Sequence, residues 1–392
     1  MSNGEFKNIE ELKVGEKVLS PQQNGSYLFA KIKKICCWYS LENYDVFELR
    51  RNKKKLYSCS YNHLIPVNYR RKNGRLSIRH ITARNYSRYG KAGFKLKATS
   101  NSCFPIPNFE NRKNCKIEPY SLGVWLGDGH FRRSRIFHTI SESFRRRGHN
   151  KKIKNEKIVY ERSRDLGITT MDEEIINEVS KFYKYRRINQ KKGGNLAKTY
   201  RYSPHKDFGS ILSKYGIEGK GSGEKFIPKE ALLSDIEYRK RLLAGLIDTD
   251  GYLSKGDGYS ITTKSKKLAE DIYFLIHTLG GRGNIRKIKK GIKKLNFVGT
   301  YYDISFYLGK IDIPILLKRK QRDNKFFYLS ANRRCIDVRS TKPGMVYGID
   351  ISGESKWYVT DNFMVTHNSS FSIQVARRYL EKFFGTPHDS FD

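Results

Sequence analysis

The stretch L-A-G-L-I-D-T-D-G occupies residues 243–251, and a looser copy of it, L-G-V-W-L-G-D-G, occupies residues 122–129. A similar segment follows each copy: G-I-T-T stands at residues 167–170 after the first, and S-I-T-T stands at residues 260–263 after the second. Two copies of one supersecondary unit predict a domain with pseudo-twofold symmetry.

Each copy reads as an apolar helix that contains a glycine and ends in Asp-Gly. A glycine inside a helix costs about 1 kcal/mol relative to alanine, and close packing of the two helices would explain it. Asp128 and Asp250 would then emerge side by side, repelling each other and facing the negative ends of both helix dipoles. Bound Mg²⁺, which prefers hard oxygen ligands, would remove this conflict. A single Asp-Gly favours a simple turn, whereas two copies in matched context favour a metal centre for phosphodiester hydrolysis.

The chain carries 77 Lys and Arg residues against 39 Asp and Glu residues, a formal net charge of +38. This surplus favours a nucleic-acid partner over a small-molecule enzyme, with a merely solvated basic surface as the alternative. Basic runs would contact DNA phosphates, which gives affinity and salt dependence but no sequence information. The candidate DNA-binding residues are Arg132, Arg133, Arg135, Arg145, Arg146, Lys151, Lys152, Arg286, Lys287, Lys289, Lys290 and Lys293.

The second copy differs at one position from the motif that names the LAGLIDADG homing endonucleases, and residues 118–330 resemble this family. The resemblance implies an α+β double repeat of the αββαββα type, with curved sheets in the DNA major groove. It also implies that Asp128 and Asp250 bind Mg²⁺ and are catalytic. Family members often have a lysine near the active site after each copy. Lys264 is the candidate in the second copy, whereas Met171 stands at the matching position of the first.

The outer parts of the chain consist of short, partly alternating segments that predict β-strands. Three stretches in them resemble inteins, the Hint fold of protein-splicing elements. Residues 4–19 resemble part of the first splicing block, S-Y-N-H at residues 60–63 resembles the block whose Thr-x-x-His polarises the upstream scissile peptide, and residues 346–369 resemble the closing blocks. The resemblance implies a multi-domain chain in which an all-β Hint horseshoe is interrupted by the endonuclease.

The closing H-N-S tripeptide provides the residue types that splicing needs. The side-chain amide of Asn368 can attack its own backbone carbonyl, forming a succinimide and cutting the bond to Ser369. His367 can protonate the leaving amine or polarise the carbonyl, and the Ser369 hydroxyl can take over the upstream acyl group. Ser60 and His63 would lie at the upstream bond, although a core histidine is the alternative for His63. This chemistry needs no cofactor.

The closing blocks depart from the intein pattern. Gly348 stands where the family usually has aspartate, with Asp350 two residues later, and a histidine common in that block is replaced around residues 355–357. The chain also opens at Met1, where the first intein strand with its Cys or Ser nucleophile should already have ended. We therefore expect the C-terminal partner of a split intein, which splices in trans with a short N-terminal intein fragment and its N-extein. A degenerate intein and a trimmed chain are the alternatives.

The tail is expected to come from the host protein. Residues 369–384 have amphipathic helical spacing, and a host sequence ending in Gly-Lys would complete a P-loop with Ser369. A P-loop ATPase such as a phage terminase or helicase is therefore the predicted host, with any other amphipathic helix as the alternative. The predicted domains are the first part of a Hint splicing domain without its initial strand (1–100), a linker (101–117), a LAGLIDADG endonuclease (118–330), the C-terminal part of the Hint domain (331–368) and a C-extein fragment (369–392).

These features predict a mobile element with two activities, autocatalytic protein splicing and Mg²⁺-dependent cutting of a double-stranded DNA target site for homing. We expect it to act as a monomer. The alternatives are a splicing-inactive degenerate intein that acts only as an endonuclease, and a DNA- or RNA-binding protein with neither activity. No apolar run approaches the length of a membrane span. The six cysteines show no Cys-x-x-Cys spacing, so we expect reduced thiols in a cytoplasm. The resemblance to inteins and homing endonucleases implies a microbial or phage-infected cell.

Overall fold

A computed structural model describes most of the chain. The described residues are 1–22, 26–39, 46–51, 54–70, 76–91, 97–99, 105–106, 108–110, 115–134, 163–190, 196–292, 297–309, 311–323 and 333–368. Within these ranges, no helix has the length and apolar character needed to cross a membrane.

Helices and strands are numbered in chain order over the described ranges. The strands are β1 (Lys17–Pro21), β2 (Tyr27–Tyr39), β3 (Val46–Arg51), β4 (Lys54–Ser60), β5 (Leu64–Arg70), β6 (Leu76–Thr82), β7 (Lys97–Thr99), β8 (Gly129–Ser134), β9 (Ser163–Thr170), β10 (Arg187–Gln190), β11 (Lys198–Tyr202), β12 (Gly251–Leu253), β13 (Tyr259–Thr263), β14 (Arg282–Ile292), β15 (Phe297–Tyr307), β16 (Arg333–Cys335), β17 (Asp337–Ser340), β18 (Met345–Ile351), β19 (Trp357–Val359) and β20 (Val365–His367). The helices are α1 (Ala83–Lys91), α2 (Pro119–Asp128), α3 (Glu173–Ser180), α4 (Asp207–Lys214), α5 (Lys229–Leu232), α6 (Ile236–Asp250) and α7 (Lys266–Thr278). Short 3₁₀ turns occur at Ile9–Glu11 and Lys318–Lys320.

The central part contains two units of the same topology. The first unit runs α2, β8, β9, α3, β10, β11 and α4, and the second runs α6, β12, β13, α7, β14 and β15. Their antiparallel sheets have matching strand orders, β8-β9-β11-β10 and β12-β13-β15-β14. The register also matches, because Gly129 lies opposite Ile168 in one sheet and Gly251 lies opposite Ile261 in the other. The predicted repetition of one supersecondary unit is therefore confirmed.

The second sheet of the central part buries one face against helices and leaves the other to solvent. Ile261 and Ile304 pair across β13 and β15 and are fully buried in the core. Arg286 on β14 is exposed, whereas its neighbour Ile285 packs against the core. This alternation is the one expected for strands, in which successive side chains point to opposite faces.

The outer parts of the chain share three sheets. Their strand orders are β1-β2-β18, β17-β3-β4 and β16-β7-β5-β6, so each sheet joins strands from before the central part to a strand from after it. Strands β19 and β20 form a separate hairpin. The chain thus leaves this strand-rich region after β7 and returns to it at β16.

Two features of the outer parts differ from the sequence-based expectation of strands and a linker. Helix α1 forms between β6 and β7, with Ala83 and Tyr86 buried one turn apart. In the predicted linker, Ile106 and Phe109 are buried in a small cluster with Leu19 and Leu233. These two residues therefore pack against both the outer and the central part.

Helices α2 and α6 touch at their backbones. A Cβ atom on Gly123 would lie 2.4 Å from the carbonyl oxygen of Leu242, and one on Gly245 would lie 2.3 Å from the carbonyl oxygen of Tyr120. The Cα atom of Gly245 would lie only 2.9 Å from that added Cβ of Gly123. The close packing predicted from the interior glycines is therefore confirmed.

A methyl group at this crossing should destabilise the central part. Gly245→Ala forces two backbones apart, and we expect it to lower the free energy of unfolding by about 3 kcal/mol. Hydrogen exchange of peptides from α2 and α6 measures this loss. Gly90→Ala is the matched control, because Gly90 is also helical but has no atom within 4 Å of an added Cβ. That change should raise stability by about 0.5–1 kcal/mol. Unchanged protection in Gly245→Ala would contradict the crossing.

Candidate functional sites

The first site lies where α2 and α6 end. Each helix starts with a carboxylate cap: Glu118 accepts hydrogen bonds from the backbone N–H groups of Tyr120 and Ser121, and Asp235 accepts one from Tyr238. These acidic caps satisfy N–H groups that lack helical partners and suit the positive end of the helix dipole. The last turns of the two helices are also in contact, so their far ends lie together.

Asp128 and Asp250 are the last residues of the two helices. Burial and, next, the charge of Asp250 raise the pKa of Asp128 to about 6. Partial loss of solvent also raises the pKa of Asp250, although that residue keeps an exposed edge. Lys225 and Lys320 act on both carboxyl groups in the opposite direction. The site therefore holds two carboxylates whose mutual repulsion is only partly offset.

A lysine caps the C-terminal end of each helix. The Nζ atom of Lys225 lies 2.8–3.1 Å from four backbone carbonyl oxygens at the end of α2, and that of Lys320 lies 2.7–2.9 Å from three at the end of α6. Burial lowers the pKa of Lys225 to about 8 and lowers that of Lys320 as well. The carbonyl partners are Trp125, Leu126, Gly127 and Gly129 for Lys225, and Ile247, Asp248 and Thr249 for Lys320.

Lys264 does not occupy this position. Its side chain is exposed before α7 and faces Gly223. The lysines that interact with the carboxylates are Lys225 and Lys320, which follow the fourth strand of the first and second units. Sequence reasoning missed these two lysines because their equivalent positions in the two units become visible only when all four strands of each unit are known.

The segment that carries Lys320 is fixed from two directions. The buried carboxylate of Asp248 accepts hydrogen bonds from the Tyr120 hydroxyl and from the backbone N–H groups of Leu316 and Leu317, at 3.0–3.1 Å. The guanidinium of Arg319 pairs with both oxygens of Asp172, at 2.7 and 2.8 Å. Asp248 and Arg319 therefore tie the second lysine to both helices and both units.

The exposed face of the second sheet carries part of the predicted DNA-binding set. Arg286 donates to Asp303 at 2.9 Å, and Lys290 donates to Thr262 at 3.2 Å. Lys287 and Lys289 are exposed. The backbones of Arg132 and Arg133 belong to β8, but their side chains lie outside the described set, as do Arg135, Arg145, Arg146, Lys151, Lys152 and Lys293.

A second site lies in the outer part, around β20. The His63 Nε2 atom makes a short contact with the hydroxyl of Thr366, which also accepts a hydrogen bond from Tyr57 at 3.3 Å. Burial lowers the pKa of His63 to about 4, so this histidine is neutral at physiological pH. Ser60 is buried and donates to the side chain of Asn62 at 3.1 Å.

Asn368 is held at both its main chain and its side chain. Its backbone N–H donates to the Lys356 carbonyl at 2.7 Å, and its side-chain amide donates to Asp350 at 2.8 Å. The Nδ1 atom of His367 contacts the Asn368 carbonyl oxygen. Ser369 lies outside the described residues. Of the predicted splicing residues, His63, His367 and Asn368 thus lie around one short strand, and sequence reasoning missed His80, which packs against His367.

Comparison with known proteins finds a family match over part of the chain. Residues 237–321 match the model of the LAGLIDADG-like domain, so this part of the chain is similar to that domain. The chain is 29% identical over 266 residues to the replicative DNA helicase DnaB of Mycobacterium intracellulare. That alignment covers 67% of the chain and 36% of the relative, so the chain spans about a third of the helicase's length. Two structures of the meganuclease I-SmaMI, one a mutant and one bound to uncleavable DNA, are 14% identical, with a TM-score of 0.28. They cover 49% of the chain, and 79% and 78% of their own chains respectively.

Proposed function

We propose that the central part of the chain is a site-specific endonuclease that cuts double-stranded DNA with Mg²⁺. The pair of aspartates at the touching ends of α2 and α6, one from each repeat, carries this proposal. The match of the second unit to a LAGLIDADG-like domain supports it. The net charge of +38 and the exposed basic face of β14 supply affinity for a DNA backbone.

The donor set at the helix ends fits Mg²⁺. Asp128 and Asp250 offer hard oxygen ligands, and a cation relieves the repulsion between them, which adds to the effect of burial in raising the pKa of Asp128. The described residues include no group of three or more His, Cys, Asp and Glu side chains that could enclose a metal. Two carboxylates completed by water and DNA phosphate are a usual coordination for Mg²⁺. When bound, the cation supplies charge stabilisation for phosphodiester hydrolysis.

The chain's own residues prepare this centre. Lys225 and Lys320 neutralise the carbonyl ends of the helices, which would otherwise add negative potential beside the aspartates. Both ammonium groups donate to helix carbonyls, and among the described contacts neither donates a hydrogen bond to Asp128 or Asp250. The carboxylate oxygens therefore stay available to a cation. The proposed substrate is a double-stranded DNA target site, and the proposed DNA contacts are the basic side chains within residues 132–152 and 286–293. The proposed active form is a monomer.

We also propose that residues 1–100 and 331–368 form an intein splicing domain around the endonuclease, bounded by the linker 101–117 and the host-derived tail 369–392. The sheets shared by the two outer parts support one domain split by an insertion. The contacts of His63 and Asn368 suit a splicing centre. Similarity to a replicative helicase of which the chain spans about a third is compatible with a P-loop ATPase host. A location in a microbial cytoplasm is part of this proposal.

The endonuclease proposal is tested with a plasmid that carries the host gene without the insert. With Mg²⁺, the purified chain should make one double-strand cut at the insertion junction. A plasmid in which the insert separates the two halves of the target should stay intact, as should the first plasmid when EDTA replaces Mg²⁺. An uncut target at all Mg²⁺ concentrations would overturn the proposal.

A further inference from the structure

His80 and His367 meet although they are far apart in the chain. His80 lies on β6 and His367 on β20, and their rings meet edge to face with centroids 4.8 Å apart. Trp357, which is fully buried and pairs with His367 across β19 and β20, donates from its indole Nε1 to His80 Nε2 at 2.8 Å. His80 is thus oriented by Trp357 and packs against His367, which contacts the Asn368 carbonyl.

These contacts fix where the protons sit. A tryptophan indole can only donate, so Nε2 of His80 must accept, and neutral His80 carries its proton on Nδ1. A carbonyl oxygen can only accept, so Nδ1 of His367 must carry the proton that faces Asn368. A positively charged His80 would lose the Trp357 hydrogen bond and would repel charge on His367.

We propose that His80 is a positioning residue of the Asn368 site: Trp357 holds it neutral and edge-on against His367, so that a proton taken up by the two histidines goes to His367. This inference rests on the proposed splicing function and deepens it. His80 touches neither Asn368 nor the bond to be broken among the described contacts, and it acts only through His367.

Succinimide formation at Asn368 needs no other reactant, because its bonds and protons balance. The Asn368 side-chain nitrogen forms a bond to its own main-chain carbonyl carbon, and the peptide bond to Ser369 breaks. The amide nitrogen gives up one proton, and the leaving nitrogen of Ser369 gains one. A protonated His367 polarises the carbonyl during the attack, and Asp350 holds the attacking amide.

Other charged groups face this pair of histidines. His63 reaches the same strand through Thr366. Burial lowers the pKa of His367, and the charge of Lys356 lowers it further. Asp350 lies at the Asn368 side chain, and Arg79 is the neighbour of His80 on β6. Burial is the largest cause that lowers the pKa of His80, and the nearby His367 lowers it further. These groups stay constant when only the Trp357–His80 contact is changed.

The test follows release of the tail after Asn368 by intact-mass spectrometry, on the full chain, from pH 5 to pH 9. Trp357→Phe removes the indole donor and lets His80 take the proton. We expect the pH profile of release to move down by about 0.5–1 pH unit, the effect of one like charge at this distance. In Trp357→Phe combined with His80→Gln, the profile should return to its original pH, because glutamine cannot be charged. His205→Gln, an exposed histidine of the first unit, is the matched control.

Each outcome decides the inference. A pH profile unchanged in Trp357→Phe, or a shift that persists in the double variant, would overturn it while leaving splicing intact. A uniformly slower release without a shift would mean that Trp357 is only a core residue, and would also overturn it. If the unaltered chain releases no tail at any pH, the splicing proposal itself fails and this inference with it. Hydrogen exchange of peptides from β6, β19 and β20 in each variant verifies that the outer part is folded.

Discussion

Replacing both Asp128 and Asp250 with asparagine should abolish Mg²⁺-dependent DNA cutting, with a loss of about 10³-fold or more. Asparagine keeps the size of the side chain but lacks the charge that holds the cation. DNA affinity should be unchanged or tighter, because two negative charges near phosphate are removed. Cutting is measured by plasmid linearisation, and binding is measured by a gel-shift assay without metal.

Thermal unfolding without metal provides an independent reading of the same double variant. Since burial and mutual repulsion raise the pKa of Asp128, its ionised form is disfavoured in the folded chain. The variant should therefore unfold at a higher temperature than the unaltered chain at pH 8, and the two should converge near pH 4. Asp312→Asn, at an exposed loop residue, is the control and should leave cutting unchanged. Undiminished cutting by the double variant would remove the two aspartates from the mechanism.

Replacing Asn368 with alanine should stop release of the tail, again by about 10³-fold or more, because no other group supplies the attacking nitrogen. Intact-mass spectrometry detects release as the loss of residues 369–392. Asn362→Ala is the matched control from the same hairpin, since Asn362 donates to the Leu56 carbonyl and Asp361 rather than to the reacting group. Tail release that continues in Asn368→Ala would exclude succinimide formation at this residue.

The parts of the sites that could be predicted are those encoded by short motifs. The two repeats predict which residues end the helices, and α2 and α6 do end at Asp128 and Asp250. The interior glycines predict the helix crossing, because a glycine in an apolar helix lowers helix stability unless a neighbouring backbone occupies the space of the missing side chain. In both cases the residues that allow the prediction lie within one or two helical turns of the aspartate or glycine in question.

The parts that could not be predicted depend on long-range packing. Lys225 reaches a helix end almost a hundred residues earlier in the chain, and His80 meets a strand near the other end of the described chain. Lys264 directly follows the S-I-T-T segment after the second copy, yet its side chain is exposed to solvent. Helix α1 was not predicted from the sequence because it is short and polar overall, although its few apolar residues, among them Ala83 and Tyr86, lie on one face.

The pairing of β7 with β16 has an evolutionary consequence. Thr99 lies opposite Arg333, so everything between residues 100 and 332 leaves and re-enters the outer sheet as if it were the loop of a hairpin. The entropy of closing a loop grows only with the logarithm of its length, so a turn of a few residues in its place would change the closure free energy by only about 3–4 kcal/mol. A gene could therefore gain or lose the whole segment in one recombination event and keep the strand register of the outer sheets.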